Sequence, residues 1–336
     1  MSNYPFVSII IVNYNGQKYL ENCLKTAYAT DYPKDKFEVI MIDNDSCDNS
    51  IEYARKNFDD LMIICNPKNV GPSAAKNIGV KIAKGDLITF LDNDVEVEKN
   101  WLKPLVNVMA EDDAIGICSP KVLFLDNTKR INSTGGVVNI YADGWGRGVF
   151  EEDTSQYDRK KDVFFGCSAA MLTKRNIIQK MGCFDDDYFY LYEDVDYSWR
   201  ANLIGYRTVY VPESIVYHKF GAVMKRDSVA VKYFTERNRV LTLLKNYEAK
   251  TIIKILPQFL KERVARTVYH IAGNTKGAKS QHAMPIINAW LWNLFNIHAT
   301  IKKRKKIQSL RIIPDKKIME LMGDYKFKTF RSDTAC

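Results

Sequence analysis

The sequence predicts an α/β fold with a mostly parallel central sheet flanked by helices, and a helical, basic extension at its carboxy-terminal end. Three observations carry this expectation. Short apolar runs alternate with helix-like stretches through the first third in a βαβα rhythm. The runs lack clean polar–apolar alternation, as strands buried on both faces do. Each of the four runs is followed by a polar cluster, and open parallel sheets bind ligands at the carboxyl ends of their strands.

The apolar runs are Phe6–Val12, Phe37–Ile42, Leu61–Cys65 and Asp86–Leu91, bounded by Asn, Asp, Gly or Pro. Between them Lys18–Tyr28, Asp48–Asn57 and Ser73–Ala83 repeat apolar residues three or four apart, which predicts helices. Farther on, Trp101–Met109 reads as a helix, Gly116–Phe124 as a strand and the glycine-rich Gly135–Phe150 as a loop or hairpin. Asp162–Leu172 reads as one strand and Lys174–Met181 as a helix. Glu193–Leu203 reads as a helix stopped by Gly205, and Tyr206–Val211 as a strand closed by Pro212. From Val229 the tail reads as helical, with breaks at Pro257, Gly273, Gly277 and Pro285.

At 336 residues the chain suffices for one large α/β domain with an appendage, or for two domains. The seven cysteines (Cys23, Cys47, Cys65, Cys118, Cys167, Cys183, Cys336) are scattered singly without zinc-site spacing, which reads as reduced thiols in a cytoplasmic setting. The first residues carry no signal-peptide pattern, and no run reaches about 18 apolar residues, so no membrane span is expected. The formal net charge of +9 gathers past Arg237 and ends in Lys302, Lys303, Arg304, Lys305 and Lys306. Such a tail suits an anionic partner: lipid, nucleic acid or a phosphorylated substrate.

The strand-end clusters hold the candidate chemistry. Asp92 and Asp94, flanking Asn93, are two carboxylates one residue apart that could share a hard divalent cation; alone, they also fit an ordinary turn. Asp43 and Asn44 could hydrogen-bond a ribose or base edge, while Asp45, Ser46 or Asp48 could cap the next helix. Lys76 lies one turn inside a helix whose Gly-Pro start could favour an anion or simply begin the helix. Glu193 and Asp194 open a helix, where acidic residues complement the dipole or, if they face a cleft, take a proton from a hydroxyl; Asp196 should point elsewhere. His218 is one of four histidines, and a lone histidine is more often structural than a ligand.

At these residues the sequence resembles the family 2 glycosyltransferases, inverting enzymes of the GT-A fold, and is most similar to their rhamnosyltransferase-like branch. The resemblance rests on ordered landmarks: VSIIIVNYNG at Val7–Gly16, EVIMIDNDSCDNS at Glu38–Ser50 and NVGPSAAKNIGVKIAKGDLITFLDND at Asn69–Asp94. GCSAAMLTKR at Gly166–Arg175, GCFDDDYFYLYEDVDYSWRANLIGYR at Gly182–Arg207, VPESIVYHK at Val211–Lys219 and ERNR at Glu236–Arg239 follow. It implies a catalytic domain over 1–247, an extension over 248–336, and bound Mg²⁺ or Mn²⁺. It further implies that Val12 and Tyr14 line a base pocket, Asp43 and Asn44 read ribose and base, and Lys76 and Asn93 lie near the nucleotide. Asp92, Asp94 and His218 would meet the metal or diphosphate, Asp94 most directly. Gly166, Cys167 and Ser168 would floor the donor sugar, and Asp194, with Glu193 beside it, would be the base. Asn44 stands where many relatives carry aspartate, which leaves the donor base open among uracil, thymine and guanine.

The implied reaction moves a sugar from a UDP-, dTDP- or GDP-sugar to a glycan or lipid-linked acceptor hydroxyl, with inversion, in surface polysaccharide or lipid-linked glycan synthesis. Trp290, Leu291, Trp292, Leu294, Phe295 and Ile297, followed by the basic cluster, fit either an interfacial helix on an anionic inner membrane face or a helix packed on the catalytic domain. A sugar nucleotidyltransferase would want a glycine-rich basic loop after the first strand, where Asn13-Tyr14-Asn15-Gly16 stands instead. A non-catalytic anion- or nucleic-acid-binding protein leaves the acidic clusters unexplained, and no nucleic-acid partner is expected.

Overall fold

The computed structural model describes residues 4–219, 228–271 and 283–323. Its first third alternates as the sequence predicts: β1 (Val7–Asn13), α1 (Gln17–Tyr28), β2 (Phe37–Asp43), α2 (Ser50–Asn57), β3 (Met62–Cys65), α3 (Gly71–Ile82) and β4 (Leu87–Asp92). β1 pairs in parallel with β2 and β4, and β2 with β3. Strand alternation sorts side chains between two cores. Ile9 and Ile11 pack with Leu20 and Leu24 of α1, while Ile10 and Val12 pack with Ala75 and Val80 of α3. β3 departs from the expectation of burial on both faces. It is an edge strand with a single neighbour, and its Met62 is exposed.

The second half follows as β5 (Val95–Val97), α4 (Leu102–Glu111), β6 (Ile115–Phe124), β7 (Asn127–Ser133), β8 (Gly136–Val138), β9 (Gly144–Gly146), β10 (Lys161–Val163), β11 (Ala170–Lys174), α5 (Arg175–Met181), α6 (Glu193–Leu203) and β12 (Arg207–His218). The main sheet runs β10-β12-β6-β11-β4-β1-β2-β3, with β5 on β12 and β7 on β6. β11 lies antiparallel between β4 and β6, so parallel pairing is confined to β3-β2-β1-β4 and to β6 with β12.

Three sequence expectations change. Asp162–Leu172 is two strands, β10 and β11, because Gly166-Cys167-Ser168 leaves the sheet between them. Pro212 does not close its strand. The ladder with β6 slips between Val211 and Ile215, where proline has no N–H to give, and resumes as far as His218. Pro257 does not break its helix either. It lies inside α8 (Ala249–Ile271), between Ile255 and Phe259, whose burial outweighs the lost hydrogen bond. Gly273 and Gly277 lie outside the described residues. Pro285 sits in the first turn of α9 (Ala283–Phe295), where a missing N–H is tolerated.

The remaining helices are α7 (Val229–Asn246), which precedes α8, and α10 (Ile297–Leu310) and α11 (Asp315–Glu320), which follow α9. The segment past Tyr247 is docked on the first part of the chain. The N–H groups of Ile312 and Ile313 donate to Leu203 O at 2.8 and 3.0 Å, and Gly323 N donates to Val138 O at 3.1 Å. Among the described residues no helix is long and apolar enough to cross a membrane.

Candidate active site

The carboxyl ends of β1, β2 and β4 lie side by side, with Asn13 opposite Asp43 and Val12 opposite both Ile42 and Asp92. From β4 the chain turns through Asn93 and Asp94 into β5, whose Val95 pairs with His218 at the end of β12. That short antiparallel pairing carries His218 alongside Asp94, with Nε2 3.5 Å from Oδ1. Asp92, Asp94 and His218 each offer a ligand atom, and the three atoms lie within 4.8 Å of one another. Two carboxylates suit a hard divalent cation such as Mg²⁺ or Mn²⁺, and an imidazole ligand is accepted more readily by a first-row ion such as Mn²⁺ than by Mg²⁺. Burial alone would push the His218 proton off, but Asp94, with Asp92 behind it, outweighs burial and raises its pKa.

One buried cation meets this cluster from α3. Lys76 Nζ lies 3.0 Å from Asp92 Oδ1 and donates to Ser168 O at 3.0 Å. Burial opposes its charge, yet Asp92, Glu193 and Asp194 together raise its pKa. Lys76 therefore leaves Asp94 less encumbered than Asp92 as a metal ligand.

Facing these strand ends, Gly166-Cys167-Ser168 bulges between β10 and β11 against the start of α6. Ser168 Oγ donates to Glu193 Oε1 at 2.7 Å, and Ser168 N reaches Asp194 Oδ2 at 3.4 Å. Glu193 is buried, and its Oε2 has no hydrogen-bond partner among the described residues. Asp194 keeps part of its surface open, and burial followed by the Glu193 charge pushes its pKa up to about 7. Burial raises the Cys167 thiol to about 12, so this cysteine is no thiolate. Asp196 turns away, as its position predicts, into a buried pairing with Arg200 at 2.8 Å and Lys245 at 3.0 Å.

The two residues before Glu193 are left-handed: Leu191 has φ 67° and Tyr192 φ 70°. Side chains of their kind avoid that conformation, and α7 holds them in it. Asn238 Nδ2 donates to Tyr190 O and Leu191 O, both at 2.7 Å, and Arg237 donates to Asp187 O. The Glu236–Arg239 landmark thus has a physical role that motif reading did not supply.

The other expected residues are distributed unevenly. Val12 is buried and Tyr14 is exposed on the loop after β1. Asp43 accepts from Asn13 Nδ2 at 2.8 Å and Ser46 N at 2.9 Å. Asn44 Oδ1 accepts from Asn66 Nδ2 and Val70 N, and its amide donates to Asn69. Both side chains therefore tie strand-end loops together. Asn93 Nδ2 donates to Asn13 Oδ1 at 2.8 Å, across the backbone of Gly16, where a Cβ would lie 1.8 Å from that nitrogen. Tyr190 and Asn238 belong to this constellation and were not singled out by sequence, and Asn13 was named only as part of the polar cluster after the first strand. Tyr190 carries the trace of the acidic cluster, its hydroxyl raised to about 12 by burial and then by Glu193, Asp92 and Asp94.

A family model, Glycosyl transferase family 2, matches residues 8–182, about half of the chain. The chain belongs to that family. Among curated relatives of this glycosyltransferase, Glycosyltransferase AglE of Haloferax volcanii is 27% identical over 234 residues, covering 67% of this chain and 72% of AglE. Others are matched over less than two thirds of their own length. Among solved structures, GalNAc-T7 with UDP, GalNAc and Mn²⁺ superposes with a TM-score of 0.62 at 18% identity, over 90% of this chain and 58% of that one. Mannosyltransferase PcManGT from Pyrobaculum calidifontis, with GDP-Man and Mn²⁺, gives 0.54 at 18% identity, over 92% and 86%. The fold is that of the GT-A glycosyltransferases.

Proposed function

We propose that this family 2 glycosyltransferase is metal-dependent and inverting, and that it passes a sugar from a nucleotide diphosphate to a glycan or lipid-linked acceptor in surface-glycan synthesis. The observation that carries the reading is the convergence of Asp92, Asp94 and His218 on one side of Lys76 and Ser168, with Glu193 and Asp194 on the other. A divalent cation held by Asp94, His218 and Asp92 would neutralise charge building on the departing diphosphate. The neighbours solved with UDP and with GDP-Man both carried Mn²⁺, which favours a divalent ion and leaves the base open.

The chain's own residues do the rest. Val12 and Tyr14 flank the base, and Asp43, Asn44 and Asn93 serve the nucleotide through the strand-end loops they fix. Lys76 keeps Asp92 oriented and offsets part of the acidic charge. Gly166, Cys167 and Ser168 lie beneath the donor sugar, and Glu193, whose Oε2 has no hydrogen-bond partner among the described residues, is available to a sugar hydroxyl. Asp194, partly open and with a pKa near the working range, takes the proton from the acceptor hydroxyl as it attacks. Attack from the face opposite the nucleotide inverts the anomeric centre without a covalent intermediate.

Nucleotide-diphosphate release from a panel of UDP-, dTDP- and GDP-sugars, with Mn²⁺ or EDTA, tests this for the wild type and Asp194→Asn. Metal-dependent turnover of one donor, lost in the variant, supports it. Calorimetry without detectable nucleotide binding in the presence of Mn²⁺ would sink it.

A further inference from the structure

We propose that α8 and α9 form a plate that docks the enzyme on an anionic lipid bilayer, lying in the headgroup plane. The glycosyltransferase reading gives the plate a purpose, access to a lipid-linked acceptor, but the docking does not depend on it.

The argument begins with the two apolar faces of α8. Its inner face, with Ile255 and Phe259, is buried. Its outer face repeats Ile253, Leu256, Leu260, Val264 and Val268 at helical spacing, exposed by 72, 39, 44, 50 and 55%. From the first to the last of these the ridge runs about 22 Å at 1.5 Å per residue. α9 adds Leu291, Leu294 and Phe295, the last 79% exposed. Between α7, α8 and α9 lies an apolar cavity of about 200 Å³, lined by Leu243, Leu256, Leu260 and Trp290 among others. Patches of this extent mark interaction surfaces.

Charge selects the occupant. Residues 249–310 hold twelve Lys and Arg against one acidic residue, Glu262. Lys250, Lys254 and Lys261 are exposed and share α8 with the ridge. A second copy of the chain would set this cationic flank against itself, whereas an anionic bilayer satisfies ridge and flank together. The basic cluster on α10 contributes less than its composition suggests. Lys303 pairs with Asp185 and Asp187 at 2.5 Å, and Arg304 donates to Leu244 O and Tyr247 O.

Co-sedimentation of the full chain with phosphatidylcholine vesicles, plain or mixed with phosphatidylglycerol, tests the plate without donor or acceptor. Binding to the mixed vesicles alone, weakened by salt, is expected. The charge-reversal variant Lys250→Glu/Lys254→Glu/Lys261→Glu should weaken it by at least about a hundredfold, at about fivefold per lysine. Ile253→Glu/Val264→Glu, both changes on exposed positions, should weaken it at least about tenfold, with circular dichroism and the melting temperature reporting a native fold. No binding to mixed vesicles, equal binding to plain ones, or binding undiminished in both variants overturns the proposal. So does a dimer in sedimentation velocity that Ile253→Glu dissociates, which would assign the face to a second copy.

Discussion

Asn238 lies outside the acidic cluster, yet Asn238→Ala should damage turnover as well as stability. The buried amide donates at 2.7 Å to two consecutive carbonyls, Tyr190 O and Leu191 O, and its Oδ1 accepts from Arg237 Nε at 2.8 Å. Each bond contributes about 1 kcal/mol net, and a carbonyl left buried without a partner costs about 1–3 kcal/mol. Leu191 and Tyr192, at φ 67° and 70°, store backbone strain of about 1–3 kcal/mol each. The holding energy and the strain are therefore of similar size. Without the amide the loop can escape both the orphaned carbonyls and the strain by leaving the left-handed region. Global stability should fall by only about 2 kcal/mol in urea unfolding. Glu193 and Asp194 follow directly on this loop, and a shift of about 1 Å in a reacting group costs about a hundredfold. kcat should fall by about 10- to 100-fold, while nucleotide affinity by calorimetry changes less than about threefold, because Asp43 and the β4–β5 turn are untouched. Asn238→Asp, which turns a donor towards two carbonyls into an acceptor, should be worse on both counts. A kcat within about twofold of wild type, alongside the expected loss of stability, would refute the reasoning and leave Asn238 as mere packing.

Other consequences can be checked with the same assays. Asp94→Asn and His218→Ala should each raise the Mn²⁺ concentration for half-maximal rate at least about tenfold, read by titration after EDTA treatment. Asp194 must be unprotonated to accept a proton, so kcat/KM should rise about tenfold per pH unit below about 7 and level off above it, a limb that Asp194→Asn should abolish. The same raised pKa means that Asp194 favours the folded state below its unfolded value of about 4, a contribution lost as pH rises through about 7. Arg200→Met should cost about 3 kcal/mol in chemical denaturation, since it strips buried Asp196 of one of two cations and leaves the carbonyls of Met181, Gly182 and Cys183 without their donor.

Local signals account for what the sequence disclosed. The four strands and three helices of the first third were legible because apolar runs, helical spacing and strand-end polar residues all lie within a few positions of one another. The start of α6 at Glu193 was read to the residue, since the acidic cluster and the apolar spacing behind it agree. What escaped was set by partners far along the chain. β5 has three residues and exists because β12 offers it a ladder, and that ladder is what delivers His218 to Asp94. β12 continues past Pro212 because β6 runs alongside on both sides of the slip. α8 tolerates Pro257 because Ile255 and Phe259 are buried on either side of it. The landmark Glu236-Arg237-Asn238-Arg239 was visible as letters, but nothing local says that its asparagine holds a loop forty-odd residues earlier.

Charge explains why the site is arranged as it is. Four carboxylates, Asp92, Asp94, Glu193 and Asp194, converge around the buried Lys76, where the proposed reaction would put a diphosphate. A dianionic leaving group would be repelled by such a surface in a medium of low dielectric. A divalent cation would reverse that relation, because the carboxylates that repel phosphate are the ones that would hold the metal that attracts it. The division between the two acidic pairs then follows from their surroundings. Asp92 and Asp94 lie beside a cationic lysine and a histidine ring and suit a metal. Glu193 and Asp194 lie at a helix start under a serine, and burial raises the Asp194 pKa until it can exchange a proton. In the proposed reaction one sheet edge would thereby supply a place for the leaving charge and a base for the incoming hydroxyl. The proposed roles differ because β12 brings His218 to the first pair, whereas α7 and its asparagine hold the loop that sets the second.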